Sequence, residues 1–251
     1  MAIWWHDSKE TIESPSQLHP RPCPRHQQPP YHLPFIVKDI KRVLILDLEG
    51  LLLKTIEMRH GDSMPAWAQH MRLVEDKNEV YHVVRPDAEK FLDFCGEYFE
   101  LWIWSCYNLT KMQHITQKCF PKHHTKFKMF MSNKNCQNRN IMLGLKRVYH
   151  KNLSDIWKMF EDLDASNTLI FDDTPYRMMW NMPGTYLIFP KMWRQASEQL
   201  QSFLQGTMIP WLLGWLYAKD KRHYTFNTIV NQYNDSETNY VLGVYLSMRN
   251  H

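Results

Sequence analysis

Short, continuous apolar runs are the feature of this sequence that most restricts its fold. Four of them occur in the folded part of the chain, at residues 42–47, 99–105, 167–172 and 185–190. Runs of this length are typical of strands that are buried on both faces, as in a parallel sheet covered by helices. We therefore predict a central parallel sheet built from these four runs.

Segments with helical spacing lie between the runs. They are predicted at residues 87–98, 109–119 and 154–163, where apolar side chains recur every three or four positions. Pro86 precedes the first segment and suits the start of a helix. Strands that alternate with helices in this way indicate an α/β fold.

The composition is that of an ordinary globular protein with one sizeable domain. The chain has 251 residues, of which 44% are hydrophobic and 22% charged, and a net charge of +4. So small a charge does not predict a direct nucleic-acid partner, and no apolar run is long enough to predict a membrane span. The five cysteines have no paired spacing, and the first residues have neither a secretory nor a mitochondrial leader pattern. We expect reduced thiols and a nuclear or cytoplasmic location.

The sequence divides into three parts. Residues 1–35 are rich in proline and are predicted to be a disordered tail. Residues 36–206 hold the α/β pattern, and residues 207–251 are predicted to be a helical extension. The apolar cluster from Trp211 to Trp215 either packs on the sheet or forms a surface for a partner.

Polar side chains follow three of the predicted strands directly. Asp47 and Glu49 follow the first, Ser105 ends the second, and Asp172 with Asp173 ends the third. The carboxyl ends of parallel strands meet at one edge of a sheet, which is where ligands bind in such folds. A single acid at a strand end is often only a loop residue or a helix cap. Three consecutive strands with polar ends favour a functional site instead.

The first of these strands carries a recognisable motif. VLILDLEGLLLKT resembles the D-x-D-x-T/V motif of haloacid-dehalogenase-type (HAD) phosphotransferases. Across residues 38–206 the chain resembles the FCP/SCP homology domain, the branch that dephosphorylates the C-terminal repeats of RNA polymerase II. The supporting segments are VVRPDAEKFLDFCGEYFELWIWSC, HKNLSDIW and NTLIFDDTPYRMMWNMPGTYLIFP. The closest resemblance is to a plant subgroup with D-L-N-G-L-L at the first motif. It implies an HAD-like, Rossmannoid three-layer sandwich with a minimal cap.

The resemblance also implies catalytic roles. Asp47 would be the nucleophile that forms an aspartyl-phosphate, and Glu49 would be the general acid and base. Ser105, Cys106 and Lys151 would bind the phosphoryl group. From its position before a helix alone, Lys151 could equally be a solvated side chain.

A magnesium ion is implied by the same resemblance. Its ligands would be the carboxylates of Asp47 and Asp172 and the main-chain carbonyl of Glu49, with Asp173 supporting the ion or its waters. Carboxylates and a carbonyl oxygen are the ligands that Mg²⁺ prefers.

Two departures from the family motif bear on activity. Glu49 replaces the second Asp of the motif, and Leu51 replaces the usual Thr. The sequence therefore predicts a protein serine/threonine phosphatase with reduced turnover. The alternative is a catalytically inactive binding module, such as the phosphatase-like subunit of the mitochondrial import translocase, which would change the expected location to mitochondria.

Weaker signals concern the substrate and a second metal. The span from Thr55 to Tyr81 is too short for a large cap domain, which argues against a small-molecule phosphatase and favours a phosphorylated protein or peptide. A basic stretch between Lys118 and Arg147 is a solvated face or a rim that attracts such a peptide. A zinc reading is disfavoured because its candidate ligands lack the usual spacing. These candidates are His114, Cys119, His123, His124 and Cys136.

Overall fold

The computed structural model describes residues 41–143, 146–189 and 203–218. The strands, in chain order, are β1 (Val43–Leu46), β2 (Leu53–Glu57), β3 (Arg72–Glu75), β4 (Val80–Val84), β5 (Glu100–Trp104), β6 (Met129–Met131), β7 (Gln137–Leu143), β8 (Lys146–His150), β9 (Thr168–Asp172) and β10 (Tyr186–Ile188). The α-helices are α1 (Ala88–Tyr98), α2 (Leu109–Cys119), α3 (Pro121–His124), α4 (Leu153–Met159), α5 (Pro175–Met178) and α6 (Ile209–Tyr217). The predicted tail at residues 1–35 and most of the predicted extension lie outside the described residues.

A five-stranded parallel sheet forms the centre of the fold. Its strand order is β10–β9–β1–β5–β6, and every neighbouring pair is parallel. Four of these strands are the predicted apolar runs, so the α/β class is confirmed. The sequence did not predict β6, because a strand of only three residues is too short to show a period.

One face of the sheet packs against α4. Val43 and Ile45 of β1 point to this face, where they form one buried cluster with Leu153 and Ile156 of α4. Trp102 belongs to the same cluster, as expected for a core position. Burial of these side chains against the sheet is the main stabilising contribution of this layer.

The opposite face packs against α1 and α6. Side chains alternate along a strand, so Phe171 of β9 points away from the α4 layer and lies 6.0 Å, ring centroid to centroid, from Trp211. The Trp215 ring lies 5.9 Å, centroid to centroid, from that of Phe99, and its indole N–H donates to the carbonyl of Gly184 at 3.1 Å. The two helical layers and the sheet confirm the three-layer sandwich, and the cluster from Trp211 to Trp215 packs inside it.

The predicted helices agree with α1, α2 and α4, with one difference in length. The third was expected to reach Leu163 but ends at Met159, where Phe160 takes an extended conformation with φ −128° and ψ 100°. Leu163 nevertheless stays in the core, because the turn that follows the helix returns it to the buried cluster.

Two small antiparallel sheets are inserted into this framework. β2, β4 and β3 form one between β1 and α1, which is the minimal cap that the resemblance implied. β7 and β8 form a hairpin that ends immediately before Lys151. Among the described residues, no helix has both the length and the apolar character needed to cross a bilayer.

Candidate functional site

Neighbouring strand ends bring three carboxylates together. Asp47 follows β1 and Asp172 ends β9, and these strands are paired so that Leu46 lies beside Phe171. The N–H of Asp47 donates to the carbonyl of Phe171 at 2.9 Å, which continues the pairing to the edge. Oxygen atoms of Asp47, Asp172 and Asp173 all lie within 4.8 Å of one another, and all three residues are buried.

Lys151 is buried against two of these carboxylates. Its Nζ lies 3.1 Å from Oδ1 of Asp47 and 2.5 Å from Oδ2 of Asp172, and its side chain is 0% exposed. Asn181 supports the backbone here by donating to the carbonyl of Lys151 at 2.9 Å. Burial alone would lower the pKa of Lys151, but Asp172 and Asp47 outweigh it and raise that pKa above its ordinary value. Lys151 is therefore charged in the site, and the reading of it as a solvated side chain is wrong.

Arg177 is a second cation of the site, and the sequence reasoning missed it. Its Nη1 lies 3.5 Å from Oδ2 of Asp47 and 3.9 Å from Oδ1 of Asp172. It is carried by α5, a single helical turn that begins at Pro175. The sequence offered no signal for this contact, because a proline that starts a helical turn does not fix where residue 177 lies in space.

Charge competition sets the protonation of the nucleophile candidate. Burial raises the pKa of Asp47 well above its ordinary value, and the neighbouring Asp172 adds to this rise. Lys151 and Arg177 oppose it. The Leu48 N–H also donates to Oδ1 of Asp47 at 2.8 Å and favours the carboxylate form.

Asp173 is packed tightly against the turn after β1. Its Oδ1 accepts a hydrogen bond from the hydroxyl of Thr174 at 2.8 Å. Gly50 lies in the left-handed region with φ +92°, and a Cβ there would be only 2.2 Å from Oδ2 of Asp173. Glycine at position 50 thus allows this carboxylate to lie beside the other two.

Ser105 and Cys106 lie at the end of β5, next to β1 in the sheet. Ser105 is buried and donates its N–H to the carbonyl of Met131 at 3.0 Å. Asn108 caps α2, since its side chain accepts from the N–H of Lys111. Among the described residues, no hydrogen bond joins the Ser105 side chain to the three carboxylates.

The pKa of the Cys106 thiol is lowered by neighbouring groups of the site. A hydrogen bond with Cys136, together with the charges of Arg177 and Lys151, lowers the pKa of Cys106 to about 6 despite its burial. In return, the hydrogen bond with Cys106 and burial raise the pKa of Cys136. The sequence offered no signal for this pair, because 30 positions separate the two cysteines.

The Glu49 side chain contacts residues of β2 and of the loop after β5, and not the cluster of three carboxylates. Its carboxylate accepts from the N–H of Thr55 at 3.1 Å, from the Thr55 hydroxyl at 2.9 Å and from the Tyr107 hydroxyl at 3.0 Å. Lys54 lies 2.9 Å from its Oε1. Burial and the Glu49 charge raise the pKa of Tyr107, so the phenol stays a donor. The Glu49 side chain is thus held by β2 and the loop after β5, and it is not a member of the carboxylate triad.

The candidates for zinc are dispersed. His114 pairs with Asp76 and His123 with Asp93. Within the described residues, the acidic triad is the one group whose ligand atoms are close enough to share a metal ion.

The basic stretch is partly neutralised. Lys118 forms an ion pair with Asp76 at 2.9 Å, and Lys126 lies 3.6 Å from Asp93. The remaining exposed lysines of the described part of the stretch are Lys122, Lys128 and Lys134.

Comparisons with known proteins give one matching family and two similar solved structures. The sequence model of the family described as NLI interacting factor-like phosphatase matches residues 42–209. Among solved structures, the chain is similar to the RNA polymerase II CTD phosphatase Fcp1 of fission yeast, in a variant bound to beryllium fluoride. The two share 15% sequence identity and superpose with a TM-score of 0.42. The match covers 65% of this chain and 45% of that one. A second structure of Fcp1, described as an essential RNA polymerase II CTD phosphatase, gives 16% identity, a TM-score of 0.42, and coverage of 62% and 43%. The chain thus spans less than half the length of these structures. The search of curated proteins gave no significant match.

Proposed function

The chain belongs to the NLI interacting factor-like phosphatase family, and from this premise we propose that it is a magnesium-dependent phosphatase acting on phosphoserine or phosphothreonine in a protein. The observation that carries the proposal is the buried cluster of Asp47, Lys151 and Asp172 at the carboxyl edge of the sheet. Transfer of an anionic phosphoryl group needs charge stabilisation around a positioned nucleophile, and this cluster offers both.

In the first step, the Asp47 carboxylate attacks phosphorus and the bond to the serine or threonine oxygen breaks. Glu49 supplies the proton that the leaving oxygen needs. Lys151 neutralises charge on the transferring group, and the Ser105 hydroxyl and the Cys106 N–H donate to its oxygens. The products are the aspartyl-phosphate at Asp47 and the dephosphorylated protein.

In the second step, water attacks the phosphorus of the aspartyl-phosphate while Glu49 accepts a proton from that water. Inorganic phosphate leaves and the Asp47 carboxylate is restored. Compared with Asp, Glu49 places its carboxyl about 1.5 Å further from the backbone. A misplacement of about 1 Å can reduce a rate about a hundredfold, so we expect slow turnover.

The residues at the strand edge fit a magnesium ion. Asp47, Asp172 and Asp173 offer buried carboxylate oxygens within 4.8 Å of one another, and hard oxygen donors are what this ion prefers. Asp47, Asp172 and the main-chain carbonyl of Glu49 would hold it, supported by Asp173. When bound, the ion neutralises the negative charge that the carboxylates and the phosphoryl group bring together.

The surroundings of the site favour a protein substrate. The cap is a sheet of only three short strands, and a cap this small would let a substrate loop approach the site. Exposed Lys134, which follows β6 at the same edge of the sheet, would attract a phosphorylated or acidic peptide. With this substrate class we propose a nuclear or cytoplasmic location.

Hydrolysis of a phosphoserine peptide tests the proposal. The wild type should release phosphate with Mg²⁺ and not with a chelator, and Asp47→Asn should abolish release. Lys158→Gln, at an exposed position on α4, is the matched control and should keep full activity. If the wild type is no faster than Asp47→Asn, the chain is not a phosphatase.

A second candidate function is a binding module that has lost hydrolysis. It is favoured by the contacts of Glu49, whose carboxylate is held by Thr55 and Tyr107. Beryllofluoride with Mg²⁺ mimics the aspartyl-phosphate and should raise the melting temperature of a competent site. No rise would favour the binding module, whereas a faster Glu49→Asp variant would indicate slowed but intact chemistry.

A further inference from the structure

We propose that Arg177, the partly exposed cation of the site, binds the phosphoryl group of the substrate. The inference rests on the proposed function only for the identity of the ligand. Its basis is the position of Arg177 near Asp47 and Asp172, the two carboxylates that Lys151 also contacts.

The backbone holds Arg177 in place. The N–H of Lys151 donates to the carbonyl of Arg177 at 2.9 Å, and the N–H of Arg177 donates to the carbonyl of Thr174 at 3.1 Å. The first bond ties the turn α5 to the segment that carries Lys151, and the Thr174 N–H, which donates to Oδ1 of Asp172 at 2.7 Å, ties it to the strand end. Little reorganisation would be needed for the guanidinium to meet a ligand at this edge.

The two cations divide the carboxylate oxygens between them. Lys151 contacts Oδ1 of Asp47 and Oδ2 of Asp172, whereas Arg177 lies near the other oxygen of each. The Lys151 side chain is 0% exposed and that of Arg177 is 22% exposed. Arg177 is therefore the cation that an incoming group meets from solvent.

The Arg177 guanidinium has more N–H donors than its contact with the carboxylates uses, so it could also donate to a phosphoryl group. Among the described residues, its side chain makes one hydrogen bond to these carboxylates, from Nη1 to Oδ2 of Asp47 at 3.5 Å. A guanidinium carries five N–H donors in a planar fork that matches two phosphate oxygens at once. An ammonium group provides no such fork, so Lys at this position would replace the charge but not the geometry.

The charge of the site explains why a second cation is needed. The three buried carboxylates face two cations, Lys151 and Arg177. Removing Arg177 would leave Lys151 as the one cationic side chain that contacts these carboxylates among the described residues, and would increase the repulsion that a dianionic phosphoryl group meets. The binding of phosphate should therefore depend on Arg177.

Binding of inorganic phosphate to the full chain, with Mg²⁺ present, tests the inference. We expect Arg177→Gln to weaken the apparent affinity about tenfold or more, since a hydrogen bond to a charged group is lost. Arg177→Lys should fall between Gln and wild type. Arg59→Gln, at an exposed arginine of the cap, is the matched control and should bind like the wild type.

The outcomes separate this inference from the proposed function. If Arg177→Gln raises the KM for the phosphopeptide and changes kcat less, the result supports phosphate binding by Arg177. If both Arg177 variants bind phosphate as tightly as the wild type, the inference is overturned, even when the wild type hydrolyses the peptide. Arg177-dependent phosphate binding without hydrolysis keeps the inference and sinks the proposed function. If Arg177→Gln does not fold, Arg177→Lys decides, and a wild type that binds no phosphate overturns the inference.

Discussion

At the scale of single residues, the buried charges of this site destabilise the fold when they are unpaired and are also the groups that would act on a phosphoryl group. Asp47 and Asp172 are completely buried, and the ammonium of Lys151 contacts both. A buried ion pair adds little net stability, but removing one partner leaves uncompensated charge in a medium of low polarity. The same electrostatics that prepares the site for a phosphoryl group thus makes its three charged side chains depend on one another.

Replacement of Lys151 by Met should therefore be strongly destabilising. We expect a loss of about 3–5 kcal/mol in the free energy of unfolding at neutral pH, measured by urea denaturation. The loss should shrink as the pH falls, because protonating Asp47, whose pKa is already raised, removes the repulsion. Lys158→Met, at a side chain that is 76% exposed, should change little. Equal stabilities of the two variants would contradict this account.

Cys106 should be the reactive thiol of the described part of the chain. Its pKa of about 6 makes it mostly thiolate at pH 7.5, and the thiolate is the nucleophilic form. Alkylation by iodoacetamide, followed by mass spectrometry, should be fast at pH 7.5 and slow at pH 5. Burial raises the pKa of Cys119 to about 12, so Cys119 should label slowly at both. Equal labelling of the two cysteines would show that the hydrogen bond with Cys136 and the nearby cations do not lower the pKa of Cys106.

At the scale of elements, the turn after β1 determines how closely the Asp173 carboxylate can pack against it. Gly50 and Gly61 both have positive φ, at +92° and +91°. They differ in what a side chain would meet. A Cβ at Gly50 would collide with Asp173, and a Cβ at Gly61 would meet nothing within 4 Å.

Alanine substitutions at these two glycines distinguish the effect of backbone strain, which both share, from the effect of steric crowding, which only Gly50 would show. Gly61→Ala should cost about 1 kcal/mol, because a left-handed conformation disfavours any residue with a Cβ. Gly50→Ala should cost clearly more and should also weaken phosphopeptide hydrolysis, since Asp173 must move. Urea denaturation and the hydrolysis assay measure both effects. If the two variants lose the same stability and keep the same activity, the contact with Asp173 has no role.

The elements also show what the sequence pattern can predict. β1, β5 and β9 are buried on both faces, so their apolar runs were visible without any tertiary information. β6 and the hairpin of β7 and β8 have no such run, and their pairing depends on neighbours elsewhere in the chain.

At the scale of the whole molecule, α6 completes one of the two helical layers. Trp215 is 0% exposed, contacts Phe99 and donates to the carbonyl of Gly184. Its contacts reach segments that precede β5 and β10, so this helix joins distant parts of the domain. The division of the chain at residue 206 stays a prediction, but the described part of the extension packs against the sheet.

Trp215→Ala should therefore destabilise the whole domain by about 3–5 kcal/mol, as expected for a buried aromatic side chain. Tyr217→Ala, two residues later and 51% exposed, should cost less than about 0.5 kcal/mol. Thermal or urea unfolding followed by tryptophan fluorescence and circular dichroism measures the difference. A small loss in Trp215→Ala would mean that α6 is not part of the cooperative fold.

The sequence by itself determined the parallel sheet and the edge at which chemistry is possible. Apolar runs define strands locally, and because parallel strands all end at one edge, Asp47, Ser105 and Asp172 had to approach one another. Only the tertiary structure decided that Arg177 joins Asp47, 130 positions away, and that Thr55 and Tyr107 hold Glu49. Such contacts depend on where separate turns and caps bring side chains in space, and no local period of the sequence records that.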